Sequence, residues 1–389
     1  MRVVLTGDFP QDGQVIRGGV QAAFAYLAHA LSEIPGIELH VITRQKERGT
    51  APSEKWTARM RIHYLPASPR FQLARDFKDD RQAFNRELAK IRPDVVHAHD
   101  ATDYGYAAVR CGYPAVVTAH GIRREASLYY GRFRLRARNY VHSLLIERYI
   151  MRHTWFLIAI SRYVTDYFRH SLRPDVQVHY INNAIDERFF QPRAEAQAPP
   201  VVLYAGRVIP RKRIEDLVRA FARVALRVPG SRLKIAGETD SEPDYAASIR
   251  QLAAACGVSD RTDFLGQLTE TRILEEFRRS SVLALASAQE TAPMVIAQAQ
   301  AGSLPVVATS VGGVAEMIED GKTGFLVPVR EIGILAERLE RLLAQPSMAD
   351  DIGRRAHRFA KEQYSADRIA QRTFGVYERL IEMSRSRVA

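Results

Sequence analysis

Short apolar runs alternate with stretches of helical periodicity along almost the whole chain, and this alternation limits the fold more than any other feature. In the first half the candidate strands are residues 2–6, 38–43, 61–64, 95–97, 115–118, 156–160 and 178–181. Helical patterns such as 21–32 and 80–90 fall between them. Strand–helix alternation implies a parallel sheet covered by helices on both faces. Residues 191–200, QPRAEAQAPP, break the pattern with a polar, Pro/Ala-rich stretch that reads as a linker. The pattern then restarts with strands at 201–204, 233–236, 262–265, 282–286, 305–308 and 324–327, a helix at 214–227, and a charged helical segment at 347–386. The expected architecture is α/β: two doubly wound, Rossmann-like domains in tandem, 1–190 and 201–370, with 371–389 as a C-terminal helix packing back on the first. Ligands of such folds sit at the carboxyl ends of the strands, so the cleft between the domains is the expected site.

A chain of 389 residues suits two domains, and 46% hydrophobic residues give each half a core. No run of 18 apolar residues and no charged-then-apolar leader occurs, so neither a spanning helix nor a signal peptide is expected. Cys111 and Cys256 lack metal-ligand spacing, and a cytoplasmic location is the simpler reading. The net charge of +12 admits nucleic acid, an anionic membrane face or phosphorylated substrates as partners. No helix-turn-helix, RNP or zinc pattern supports nucleic acid. Between Arg123 and Arg152 the arginines interleave with Tyr129, Tyr130, Phe133, Leu135 and Tyr140. This region reads either as a solvated helical face or as a patch for anionic lipid head groups, a peripheral contact on the inner face of the membrane.

Chemistry concentrates in residues 287–309, SAQETAPMVIAQAQAGSLPVVAT. A polar turn carries Glu290, Pro293 stands where a small-residue helix would begin, and Pro305-Val306-Val307 opens a strand. The start of that helix has amides to offer an anion, with Met294 and Val295 placed to meet phosphate oxygens. A carboxylate beside an anion site suggests a ligand with both phosphate and hydroxyls. In GRVIPRKR, Arg207 follows a strand and Lys212 comes five residues later. A guanidinium fork and an ammonium at a strand end can clamp a diphosphate. A lone pair of such residues would read as a basic surface turn. Gly237 and Gly266 each end a strand, where glycine lets backbone and ligand approach closely.

Residues 287–309 resemble the donor-site signature of GT-B glycosyltransferases of glycosyltransferase family 4: a Glu, a second Glu eight residues later, a small-residue helix, then Pro-Val-Val. Glu290 falls on the first Glu and Gln298 on the second. The resemblance implies that Glu290 accepts hydrogen bonds from donor-sugar hydroxyls and that Gln298 meets the ribose without a carboxylate's charge. The family often has Gly where Pro293 stands, and a Lys-Gly where this chain has Lys212-Arg213. By the same resemblance Gln267 and Leu268 line the base pocket. Gly18-Gly19 matches a flexible loop that closes on the donor phosphate and acceptor, with Arg17 beside it. His120, in Thr118-Ala119-His120-Gly121, lies near the transferred sugar.

His97 and His99 share a strand face, but no third ligand of the right kind is near, so no metal is expected. Asp100 and Asp103 are candidates for acceptor hydroxyls. Asn183-Ala184-Ile185-Asp186 resembles a structural turn before the linker. No nucleophile elbow, Walker A or His-Glu-x-x-His motif occurs. The resemblance implies a retaining, metal-independent transfer from a nucleoside-diphosphate sugar co-substrate to a glycan, lipid-linked or small-molecule acceptor, in cell-surface glycan or polysaccharide biosynthesis. In this expectation Arg207 and Lys212 neutralise the departing diphosphate, and Glu290 and His120 hold the sugar. The alternatives are a nucleotide-sugar-binding subunit without activity and an epimerase on the same fold.

Overall fold

The computed structural model describes residues 1–10, 16, 18–44, 55–57, 60–66, 76–129, 133–191 and 199–388. Arg17, Tyr130 and most of the expected linker, residues 192–198, lie outside the described residues. The chain divides into two compact units, Met1–Ala184 with Ala366–Ala389, and Ile185–Ser365.

The first unit holds an eight-stranded sheet. Its strands are β1 (Arg2–Thr6), β2 (Glu38–Arg44), β3 (Lys55–Thr57), β4 (Met60–Leu65), β5 (Val95–His99), β6 (Ala115–Ala119), β7 (Phe156–Ala159) and β8 (Gln177–Tyr180). The order is β3-β4-β2-β1-β5-β6-β7-β8. Among the described strands only β3 runs antiparallel to its neighbour. The central strands are apolar on both faces because helices cover both: Val3, Val4, Leu5, Val95 and Val96 have no exposed surface. The helix Gly19–Ser32 packs against the chain's last helix, Ala366–Val388. From that last helix Tyr377, fully buried, hydrogen-bonds His97 on β5 across 2.7 Å.

In the second unit the strands are β9 (Val201–Ala205), β10 (Arg232–Ala236), β11 (Thr262–Gly266), β12 (Val282–Leu285), β13 (Val306–Thr309) and β14 (Phe325–Val327). They pair in the order β11-β10-β9-β12-β13-β14, all parallel. Parallel neighbours need long crossovers, and helices such as Ile214–Arg227, Pro243–Ala255 and Met294–Ala301 make them. The chain moves outward from β9 through β10 to β11, then returns to lay β12 on the other side of β9. Strand order therefore reverses between β9 and β12, where loops diverge and leave room for a ligand at the strands' carboxyl ends. In the first sheet the same reversal falls between β1 and β5.

Candidate functional site

The loops after β9 and β12 carry the residues singled out from the second half of the sequence. After β9 the chain turns at Gly206, whose φ is +150°. Gly206 N donates to Ala236 O (2.9 Å) and Gly237 N donates to Gly266 O (2.8 Å), so the three glycine-bearing strand ends are tied in series. A Cβ on Gly237 would lie 1.7 Å from Gly206 O. Crowding by the adjacent backbone thus requires this glycine, whatever a ligand adds.

The Tyr204 hydroxyl donates to Arg207 O (2.7 Å). The Arg207 side chain is exposed, and its charge reaches Lys212. A short 3₁₀ turn, Pro210–Lys212, then directs Lys212 inward. Arg213 ends the turn in the left-handed region at φ +48°, a backbone conformation that ordinarily favours glycine. The Arg213 fork is held on Asp216 at 2.6 and 3.0 Å.

Lys212 Nζ donates to Glu290 Oε1. Arg211 Nη1 lies 3.3 Å from Glu290 Oε2 and also donates to Gln289 O and to Gln289 Oε1. Ser287 Oγ donates to Glu290 Oε1 (2.6 Å), and Thr309 Oγ1 on β13 donates to Ser287 O (2.6 Å). Ala288 N donates to Arg211 O (2.8 Å), stitching the two loops together through the backbone. Burial alone would raise the Glu290 carboxyl, but the charges of Lys212 and Arg211, with hydrogen bonds from Lys212 and Ser287, hold it at about 2. The result is a permanent carboxylate, oriented from three sides, within reach of several cations.

Pro293 precedes the helix Met294–Ala301 and does not open it: its ψ of 117° is extended. Met294 is buried, while Val295 and Gln298 are half-buried on the following turn. At the end of β11, Gln267 is exposed and Leu268 half-buried, just before the helix Glu270–Arg279 capped by Thr269. The structure thus ties Arg211, Lys212 and Glu290 directly. Arg211 escaped the sequence reading because PRKR offers three neighbouring cations, and only the 3₁₀ turn decides which face inward.

In the first unit, Gly18 and Gly19 are exposed at the start of the helix Gly19–Ser32. His97, His99 and His120 are buried together at the ends of β5 and β6. Burial keeps all three neutral, His97 at about 3 and the other two below the ordinary value. His120 Nδ1 is 3.0 Å from Asn183 Oδ1, which can only accept, so Nδ1 carries the proton. His120 Nε2, 2.9 Å away, then accepts from His99 Nδ1. Both ring nitrogens of His120 are therefore engaged inside the unit, and a sugar contact through nitrogen requires exchange of one partner. Asp100, at φ +88°, faces Arg123 at 3.3 Å, and Asp103 pairs with Arg44. Among the described residues no group of three or more His, Cys, Asp or Glu is arranged to hold a metal ion.

The helix Phe133–His153 presents Arg138, Val141, Leu145, Arg148 and Arg152 at spacings of three and four, all exposed. Val141 and Leu145 are each about half exposed, at 52% and 51%. The helix's one carboxylate, Glu147, is buried and accepts from the backbone N–H of Arg123 and Arg124. No described helix is long and apolar enough to cross a membrane.

A profile described as Glycosyl transferases group 1 matches residues 185–359, and one described as Glycosyltransferase Family 4 matches residues 17–189. A glycogen synthase of Mycobacterium tuberculosis is 30% identical over 74% of this chain and 69% of its own length. A D-inositol 3-phosphate glycosyltransferase of Streptomyces avermitilis is 28% identical over 100% of this chain and 89% of its own. Among solved structures, a sucrose-phosphate synthase from Thermosynechococcus elongatus superposes with a TM-score of 0.84 at 23% identity, covering 98% of this chain and 99% of that one. Anabaena HepE in complex with UDP and glucose gives 0.75 at 18% identity, covering 97% and 99%.

Proposed function

The chain belongs to the GT-B glycosyltransferases of family 4, and on that premise we propose a retaining transfer of a sugar from a nucleoside-diphosphate donor to a hydroxyl of a growing cell-surface glycan or polysaccharide. The observation that carries the donor assignment is the buried carboxylate Glu290, with Lys212 and Arg211 on it, at the strand reversal of the second sheet. The unit Ile185–Ser365 is the donor-binding one in this reading, and the unit Met1–Ala184 with Ala366–Ala389 binds the acceptor.

Arg207 and Lys212 take the diphosphate oxygens, and the amides of Met294 and Val295 add donors where the helix begins. Glu290 accepts from sugar hydroxyls, Gln298 from the ribose, and Gln267 and Leu268 flank the base. Gly237 and Gly266 shape the strand ends behind it, and Gly18-Gly19 and His120 are the candidate substrate contacts of the first unit. As the bond from the anomeric carbon to the leaving phosphate oxygen breaks, negative charge grows on that oxygen, where fixed cations are most effective. The acceptor oxygen bonds to the anomeric carbon on the face just vacated and passes its proton to the leaving oxygen. No obligatory metal enters this scheme, because the cations it needs are side chains.

Incubation with a panel of UDP-, GDP-, ADP- and dTDP-sugars tests the proposal. Release of the matching nucleoside diphosphate is expected with at least one. No release with any, together with no thermal shift from any free nucleoside diphosphate, would overturn it.

The stripe on the helix Phe133–His153 fits an anionic lipid surface, since arginines flank two exposed aliphatics and the helix's carboxylate faces inward. Sedimentation with vesicles containing anionic lipid is expected to carry the protein down, and Leu145→Glu to release it. Equal sedimentation with neutral vesicles would refute this contact.

A further inference from the structure

Under the donor reading, one side chain has two duties. Lys212 Nζ is bonded to Glu290 Oε1 in the structure, yet the same ammonium is assigned to the diphosphate. If it turns toward a phosphate, Glu290 loses its nearest cation while still buried, and a buried carboxylate left unpaired is strongly disfavoured. A second cation is already seated on the opposite oxygen. Arg211 Nη1 is 3.3 Å from Glu290 Oε2 and is anchored to the same loop through Gln289 O and Oε1. Its own carbonyl accepts from Ala288 N at 2.8 Å. Arg211 is thus tied to the loop that carries Glu290 and need not move when Lys212 does.

We propose that Arg211 is a positioning residue that keeps Glu290 an oriented carboxylate toward the donor sugar when Lys212 is drawn to the diphosphate. This rests on the donor-site reading above. The charged and titratable groups facing Glu290 are Lys212 and Arg211 from the β9 loop and Tyr204 from β9 itself, with Arg207 acting on both Lys212 and Tyr204. Ser287 adds a neutral donor. Of these, Arg211 alone is a cation bound to Glu290 that the proposal does not assign to phosphate.

The test separates the sugar's contribution to binding from the diphosphate's. Affinities of wild type and Arg211→Gln are measured by calorimetry for UDP and UDP-glucose, and for GDP and GDP-mannose, from about pH 8 to about pH 5. With the pair that binds, Arg211→Gln is expected to keep the diphosphate affinity within about threefold and to lose about tenfold or more for the nucleotide sugar, the loss growing as pH falls. Arg211→Lys is expected to recover most of the loss. Sugar-dependent affinity and pH profile identical to wild type would overturn the proposal. A second measurement avoids any folding defect of the variant: carbon-13 observation of the Glu290 carboxyl in wild type saturated with the diphosphate that binds. The carboxylate form is expected to persist below about pH 4.5, and protonation above about pH 5.5 would overturn the proposal. If wild type binds neither UDP nor GDP, the ADP and dTDP pairs are measured in the same way, and binding of none of the four overturns the donor-site reading itself, which is a separate result.

Discussion

Replacing Lys212 by Met removes the ammonium nearest Glu290 and keeps an unbranched stem where Lys212 Cε passes Gly206. The carboxyl sits at about 2 in the fold against an ordinary 4.5, a difference worth about 3 kcal/mol at neutral pH. Lys212 supplies much of that, but Arg211 and Ser287 remain, so the expected loss is about 2–3 kcal/mol, at the lower edge for a broken buried ion pair. In a unit of about 180 residues this lowers its melting temperature by roughly 5–10 °C. Differential scanning calorimetry at pH 7 reads this directly. The pH dependence carries a fixed sign. Because the folded carboxyl lies below its unfolded value, its contribution is full above pH 4.5 and is lost as pH falls toward about 2. The gap between wild type and Lys212→Met must therefore narrow below pH 4.5. The double variant Lys212→Met/Glu290→Gln should recover at least half of the loss, since the buried charge goes with its partner. A single variant melting within about 2 °C of wild type at pH 7, or a gap that widens in acid, would refute the reasoning.

Arg207→Ala is expected to cost about a hundredfold or more in turnover, measured as nucleoside diphosphate release, because a fixed cation facing the leaving group is lost. Wild-type turnover would remove Arg207 from the clamp. Gln298→Glu should change nucleoside diphosphate affinity by calorimetry, and an unchanged dissociation constant would end its ribose assignment. Gly237→Ala is expected to cost upwards of about 3 kcal/mol in chemical denaturation, since the new Cβ would lie 1.7 Å from Gly206 O.

The two doubly wound sheets were legible because strands buried on both faces leave short continuous apolar runs in the sequence, as in β1, β5 and β12. Less legible were features that depend on a single dihedral angle or on neighbours distant in sequence. The segment 347–386 reads as one helical stretch, yet it divides at Ser365 into Pro346–Tyr364 and Ala366–Val388, one in each unit. Strand β3 is three residues long and carries no period of its own. In the candidate site, Lys212 and Glu290 were legible as a pattern but not as a bonded pair, because they lie 78 residues apart. The Gly237 constraint was attributed to a ligand, while its backbone cause, Gly206 O, belongs to the adjacent strand. His120 was legible as a polar residue at a strand end, but the tautomer imposed by Asn183 was not.

The buried bond from Tyr377 to His97 joins positions 280 residues apart in the same unit. Translation runs from the amino end, so the segment Ile185–Ser365 is complete before the ribosome has made the helix that brings Tyr377. Strand β5 must therefore wait for a helix made after the whole of Ile185–Ser365 before it is sealed. During that interval a nascent chain carries one finished module and one with an open seam, which gives a binding chaperone its natural point of entry.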